Sequence, residues 1–183
     1  MSDVIYIALL RGINLAGRNM VSMAELRAMF ERVGFPNARS LLQSGNVVFS
    51  CTGTTTAKLE RFLEAETHNC FNLPVQYYVR TMTDLKKALR ANPFKREAMH
   101  APSYLYLFFL KDAPTPDSVR KLRAAIPADE SVKVNGKVAY VRYPEGMGRS
   151  KLGSTVIERR LETRATARNW NTVSKLVRLA EEL

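Results

Sequence analysis

The chain has 183 residues, 46% of them hydrophobic, with nine Gly and eight Pro. That is enough apolar material for one large core or two small ones, and too little Gly and Pro for a disordered chain. Its net charge of +11, from 28 Lys and Arg against 17 Asp and Glu, favours an anionic partner without distinguishing one from an ordinary solvated surface. The excess is spread along the chain: residues 1–92 carry 11 basic and 7 acidic residues, and residues 93–183 carry 17 and 10. No apolar run approaches the roughly 18 residues of a membrane helix, and the opening Met-Ser-Asp-Val lacks the pattern of a secretory signal. Cys51 and Cys70 are the only cysteines and fit no metal spacing, so no membrane association and a reducing, cytoplasmic setting are expected.

Val4–Leu10 is apolar at every position, which predicts a central strand buried on both faces. It runs into Arg11-Gly-Ile-Asn-Leu-Ala-Gly-Arg-Asn19, a polar loop whose glycines allow tight turns and close approach of a ligand. The apolar residues at 23, 26, 29, 30 and 33 then predict a helix. Ser22 is its N-cap, Glu25 completes a capping box, and Gly34 stops it. Ala38–Gln43 and Asn46–Ser50 read as two strands joined by a tight turn at Ser44-Gly45. Ala57–His68 reads as a helix, Val75–Arg80 as a strand and Thr83–Ala91 as a further helix. Pro93 and Pro102 bracket a polar connector.

The second half repeats the order. Tyr104–Leu110 is an apolar strand, Pro116–Ala125 a helix, and Ser131–Val134 and Lys137–Tyr143 flank the hairpin signal Asn135-Gly136. Ser150–Leu161 is a helix, Arg164–Ala167 a short strand and Trp170–Glu182 the last helix. Each half therefore reads β-α-β-β-α-β-α. The fold class is α+β, with two tandem ferredoxin-like (split β-α-β) units, each followed by an extra helix. The units are expected at residues 1–92, which carry the Arg/Asn loop, and at residues 103–183.

In this topology the first and third strands are central neighbours, so the loop after the first strand and the turn before the third meet at one sheet end. Arg11, Asn14, Arg18 and Asn19 should converge there with Gln43, Ser44 and Asn46, with His68, Asn69 and Asn72 nearby. Two guanidiniums among amides and hydroxyls, beside a helix N-terminus, suit a phosphate or carboxylate. Asn and Ser are equally ordinary turn formers, and loop Arg is commonly just solvated. A second candidate group is Arg149 and Lys151, in Glu145-Gly-Met-Gly-Arg-Ser-Lys151, together with Arg168. That loop lacks the spacing of a phosphate-binding Walker motif. Trp170 reads as a core anchor rather than a base-stacking platform.

With only two His, no Ser-His-Asp or Cys-His set is convincing, no metal-ligand cluster has the right spacing, and no cofactor is expected.

Arg11-Gly-Ile-Asn, Gly17-Arg-Asn, Gln43-Ser-Gly-Asn-Val-Val-Phe49 and Thr166-Ala-Arg-Asn-Trp-Asn-Thr-Val173 together resemble a bacterial family of small conserved proteins, the domain of unknown function numbered 1697. The resemblance implies a cytoplasmic bacterial protein with an α+β fold and supplies neither reaction nor cofactor.

Three functions compete. The first is a binding protein for a phosphate-bearing ligand, either an anionic small molecule or nucleic acid. The Ile5–Leu10 strand loosely resembles an RRM motif, but Asn46-Val-Val-Phe-Ser50 lacks the paired aromatics. The second is a small metal-independent enzyme acting on a phosphorylated or carboxylated metabolite. By fold analogy with acylphosphatases, Arg11 or Arg18 would hold phosphate while Asn46 positions water. The third is a ligand-sensing or oligomer-forming module without chemistry.

Overall fold

The structure is a computed structural model that describes residues 3–14, 17 and 19–183. The first half forms β1 (Asp3–Arg11), α1 (Met23–Arg32), β2 (Arg39–Ser40), β3 (Asn46–Thr52), α2 (Thr56–Phe71), β4 (Gln76–Thr81) and α3 (Met82–Arg90). After α4 (Lys95–His100) come β5 (Leu105–Leu110), α5 (Pro116–Arg123), β6 (Ser131–Asn135), β7 (Val138–Arg142), α6 (Ser154–Leu161), β8 (Ala165–Asn169) and α7 (Trp170–Glu181). Two four-stranded antiparallel sheets result, ordered β2-β3-β1-β4 and β6-β7-β5-β8. These are two tandem ferredoxin-like units. By contact density, one compact unit comprises residues 1–87 with 175–183 and the other residues 88–174. On that division the second unit holds 16 Lys and Arg against 8 Asp and Glu, and the first 12 against 9. The positive charge is thus concentrated in the second unit.

Each unit has its own core. Tyr6, Ala8, Leu10, Val47, Phe49, Tyr77 and Val79 line one face of the first sheet and pack against Leu26, Met29 and Phe30 of α1 and Leu59 and Leu63 of α2. The Tyr6 hydroxyl is buried yet satisfied: it donates to the Thr54 carbonyl at 2.6 Å and accepts from the Thr54 N–H at 3.0 Å. In the second unit Phe108, Leu110, Ala139 and Val141 pack with Leu122 of α5 and Ile157 and Leu161 of α6. The alternate residues Ile7, Leu9, Leu107 and Phe109 are buried as well, so β1 and β5 are covered on both faces, as their unbroken apolar runs require.

The repeat extends to single hydrogen bonds. The Leu10 N–H donates to the Gly45 carbonyl at 2.8 Å, and the Leu110 N–H to the Lys137 carbonyl at 2.9 Å. Ile7 is paired with Arg80 and Leu107 with Arg168. Each of these arginines donates through Nη1 to the carbonyl before it, Val79 at 2.7 Å and Ala167 at 2.8 Å. Thr81 and Asn169 then cap the following helix by accepting from the N–H three residues on.

On the edge strands β4 and β8, helix carboxylates cover the N–H groups of Tyr77, Val79 and Ala165. Glu64 accepts from Tyr77 N–H at 3.0 Å, Glu60 from Val79 N–H at 2.9 Å, and Glu158 from Ala165 N–H at 2.6 Å. Occupied in this way, those N–H groups offer no template for another strand.

Local departures from expectation have local causes. β2 is two residues long because Leu42 (φ 60°) and Gly45 (φ 70°) turn the chain out of the extended region. The 93–102 connector contains α4. Residues 147–149 form one 3-10 turn, so α6 begins at Ser154 rather than at Ser150. In the second hairpin Asn135 stays in the strand and Gly136 (φ 55°) opens the turn. Trp170 is half-buried at the start of α7.

Candidate functional site

The register fixes where the polar segments meet. Leu9 is paired with Asn46, and Arg11 with Gln76. The end of β1, the start of β3 and the start of β4 therefore share one end of the first sheet, and the loops attached to them are neighbours.

Asn14 is the joint between the two loops. Its Nδ2 donates to the Val21 carbonyl at 2.9 Å and to the Gln43 carbonyl at 2.8 Å, while its Oδ1 accepts from the Val21 N–H at 2.8 Å. One amide thus closes the 14–21 segment on itself and ties it to the β2–β3 loop. Asn19 supports it: its Nδ2 donates to the Gly12 carbonyl at 2.8 Å, and its own carbonyl accepts from the Asn14 N–H at 3.1 Å. Asn14 (φ 53°) and Asn19 (φ 49°) both lie in the left-handed region, which Asn tolerates better than other residues with a Cβ. Asn46 is fully buried and donates to the Leu41 carbonyl at 2.9 Å and to Ser44 Oγ at 3.0 Å.

The glycine at position 45 is required by space. A Cβ there would sit 2.5 Å from Ile13 Cγ2 and 2.7 Å from Leu10 Cβ. Ile13 and Val21 are buried at 2% and 4% exposure, so the loop after β1 inserts two apolar side chains beneath its polar surface.

These contacts change the roles assigned to several residues. The amides of Asn14, Asn19 and Asn46 hold the loops together instead of facing a ligand. Asn46 has no solvent-facing surface, so the water-positioning part in the acylphosphatase analogy has no holder at that position. The α1 N-terminus is also occupied. Ser22 Oγ accepts from the Glu25 N–H at 3.1 Å, and the Glu25 carboxylate accepts from the Ser22 N–H at 3.1 Å and hydroxyl at 2.7 Å. Those bonds hold the Glu25 carboxyl below its ordinary range, and a carboxylate already sits where an anion would have to bind. Arg11 is half-buried at the end of β1, and Gln43 and Ser44 are exposed on the β2–β3 loop. Arg18 lies outside the described residues. His68, Asn69 and Asn72 end α2, with Asn72 as its left-handed C-cap (φ 53°).

The second candidate group does not assemble. Arg149 is exposed, 3.8 Å from Glu145, and Lys151 is exposed next to Leu152, which belongs to the core beneath α6. Arg168 is paired with Leu107 on the opposite face of the sheet, since Phe108 rather than Leu107 faces that core. It is buried, donates to Thr166 Oγ1 at 2.9 Å and the Ala167 carbonyl, and burial pushes its guanidinium down to about 10. Its counterpart Arg80 has its pKa lowered by burial, an effect opposed by Glu60 at 3.5 Å.

Among the described residues no three His, Cys, Asp or Glu side chains group as metal ligands, and no helix is long and apolar enough to cross a membrane. Both cysteines are free thiols.

Fold and loop architecture together define a tandem ferredoxin-like α+β protein with a stapled polar loop at one end of its first sheet. The chain belongs to the family described as Protein of unknown function (DUF1697), which matches residues 4–140. That match spans the loop and the β2–β3 turn and ends before the motif at 166–173. The chain is also similar to the solved structure of conserved bacterial protein SP0830 from Streptococcus pneumoniae. The identity is 22% and the TM-score 0.76, with 98% of this chain and 99% of that chain covered. At this identity the likeness speaks for the fold alone. No curated protein matches the chain.

Proposed function

We propose that the protein binds an anionic, phosphate-bearing ligand on the end of the first sheet, with Arg11 and Arg18 as the charged contacts and Gln43 and Ser44 as polar ones. Asn14, Asn19 and Asn46 act one step back, holding the loops that present them. The observation that carries this reading is the Asn14 amide, which joins the loop after β1 to the β2–β3 loop through Val21 and Gln43. Loops tied to each other before a ligand arrives have less freedom to lose when it binds, and a guanidinium offers a planar, bidentate fork to phosphate. The reading is of binding without turnover: Asn46 is buried, and Glu25 fills the helix end that would otherwise supply N–H donors. We place the protein in the cytoplasm, consistent with two free cysteines.

The test is titration of the full chain with nucleoside mono- and diphosphates and with a short oligouridylate. Arg11→Ala and Arg18→Ala should each weaken the best binder about tenfold or more, the size of one charge-assisted contact, while leaving the melting temperature within a few degrees. Affinity unchanged in both variants would remove the site.

A further inference from the structure

At the same end of the second sheet, the corresponding elements leave a recess open to solvent instead of a plug. A cavity of about 450 Å³ lies between the loop after β5, the first turns of α5 and the β6–β7 turn. The counterpart in the first unit is filled. There residues 12–22 connect β1 to α1 and insert Ile13 and Val21, with Ile13 against Gly45. In the second unit only residues 111–115 separate β5 from α5, too short a segment to supply such side chains. Val119 and Val134 are consequently left half-buried on the edge of the core.

The lining has two chemical parts. Pro114, Pro116, Val119 and Val134 provide an apolar floor and wall, and Arg120 and Arg123 stand beside it. Pro116, Val119, Arg120 and Arg123 fall at i, i+3, i+4 and i+7 of α5, so one helix face presents both parts together. The side chain of Arg123 makes no ion pair among the described residues, while Arg120 pairs at 2.8 Å with Asp117 in solvent. Asp117 is also held by Lys121 at 3.1 Å, so Arg120 can turn away without leaving that carboxylate alone. Exposed pairs of this kind are weak and readily exchanged.

We infer that this cavity is a binding site for a small amphiphilic anion: a carboxylate, sulfonate or phosphate ester attached to a compact apolar body. Its volume is that of a small-ligand pocket. The apolar body covers Val119 and Val134, and the anionic head meets Arg120 and Arg123. The site is separate from the loop proposed to bind phosphate in the first unit and does not depend on it.

The probe is 1-anilinonaphthalene-8-sulfonate, titrated into the full chain and followed by its fluorescence and by amide shifts. One molecule should bind, moving the amides of Val119, Val134 and Gly136. The double variant Arg120→Gln/Arg123→Gln, exposed on both sides and so expected to fold, should weaken binding about tenfold or more. Val134→Phe, which rebuilds the plug, should weaken it at unchanged melting temperature, and Arg11→Ala should leave it untouched. Octanoate should displace the dye, whereas inorganic sulfate should not. Several results would overturn the inference: dye binding insensitive to the Arg double variant, amide shifts confined to other elements, equal affinity for uncharged N-phenyl-1-naphthylamine, or displacement by oligouridylate but not by octanoate.

Discussion

Replacing Gly45 by Ala tests the joint between the two loops at its tightest point. The new Cβ would lie 2.5 Å from Ile13 Cγ2 and 2.7 Å from Leu10 Cβ, and neither atom is the far end of a flexible side chain. Leu10 is held in the centre of the sheet, where its N–H donates to the carbonyl of Gly45 itself, and Ile13 is 2% exposed. Relief would require the loop to lift. The left-handed backbone (φ 70°) costs a residue with a Cβ about 1–2 kcal/mol, and overpacking of this kind costs about 1–3 kcal/mol. The sum, about 2–5 kcal/mol, is a large part of the roughly 5–15 kcal/mol that holds a domain folded. With a urea slope near 2 kcal/mol per M, the midpoint should fall by about 1–2.5 M. Gly12→Ala is the control. It has nearly the same backbone angle (φ 74°) and nothing within 4 Å of an added Cβ, so it should show only the conformational part. Urea denaturation followed by circular dichroism measures both. If Gly45→Ala costs no more than Gly12→Ala, the two loops are not in the contact described.

Further expectations concern other parts of the same frame. Asn14→Ala removes three hydrogen bonds and should cost about 2–4 kcal/mol in urea denaturation, with Asn14→Gly recovering about 1 kcal/mol because it accepts the left-handed angle; equal losses would mean the backbone strain is not real. Glu60→Ala leaves the Val79 N–H uncovered and takes a carboxylate from the buried Arg80, so a loss of about 3–5 kcal/mol is expected, with a smaller loss for Glu60→Gln; near-neutral behaviour of the Ala variant would argue against a buried pair. Glu25 is bonded as a carboxylate to Ser22, so its folded pKa lies below the ordinary value of 4.5. Its contribution is complete above that value and is lost as pH falls through the lower, folded one. Stability measured from pH 6 down to pH 3 should therefore fall less steeply in Glu25→Gln than in the parent, and parallel curves would contradict the capping box.

Much of the frame was legible in the sequence because its causes are local. Val4–Leu10 and Tyr104–Leu110 announce buried strands by having no polar position, and Ser22 with Glu25 announces the start of α1 by a pattern four residues long. Chain order alone predicts that the loop after β1 meets the turn before β3, and Asn14 does meet Gln43. What was not legible depends on distant partners. The asparagines at 14, 19 and 46 look the same in sequence whether they face a ligand or a carbonyl, and only the register shows that they are used internally. Arg168 reads as a partner of Arg149 and Lys151 until its pairing with Leu107 places it on the opposite face of the sheet. Glu60, Glu64 and Glu158 sit at ordinary helix positions, and their bonds to strand N–H groups require the packed fold. The cavity by α5 arises from a difference in loop length between the halves, which acquires meaning only once β1 and β5 are superposed residue by residue. In the sequence, Pro116, Val119, Arg120 and Arg123 share one helical face, and that spacing marks a stripe that is part apolar and part basic.

The measurement closest to the central claim is a backbone-amide titration of the full chain with the tightest phosphate-bearing ligand found in the screen. One surface built from two loops should give coupled shifts at Gly12, Asn14, Gln43 and Ser44 with a single dissociation constant, lost together in Arg11→Ala. Shifts that leave these four amides still while others move would show that the ligand binds elsewhere and that the stapled loop is only architecture.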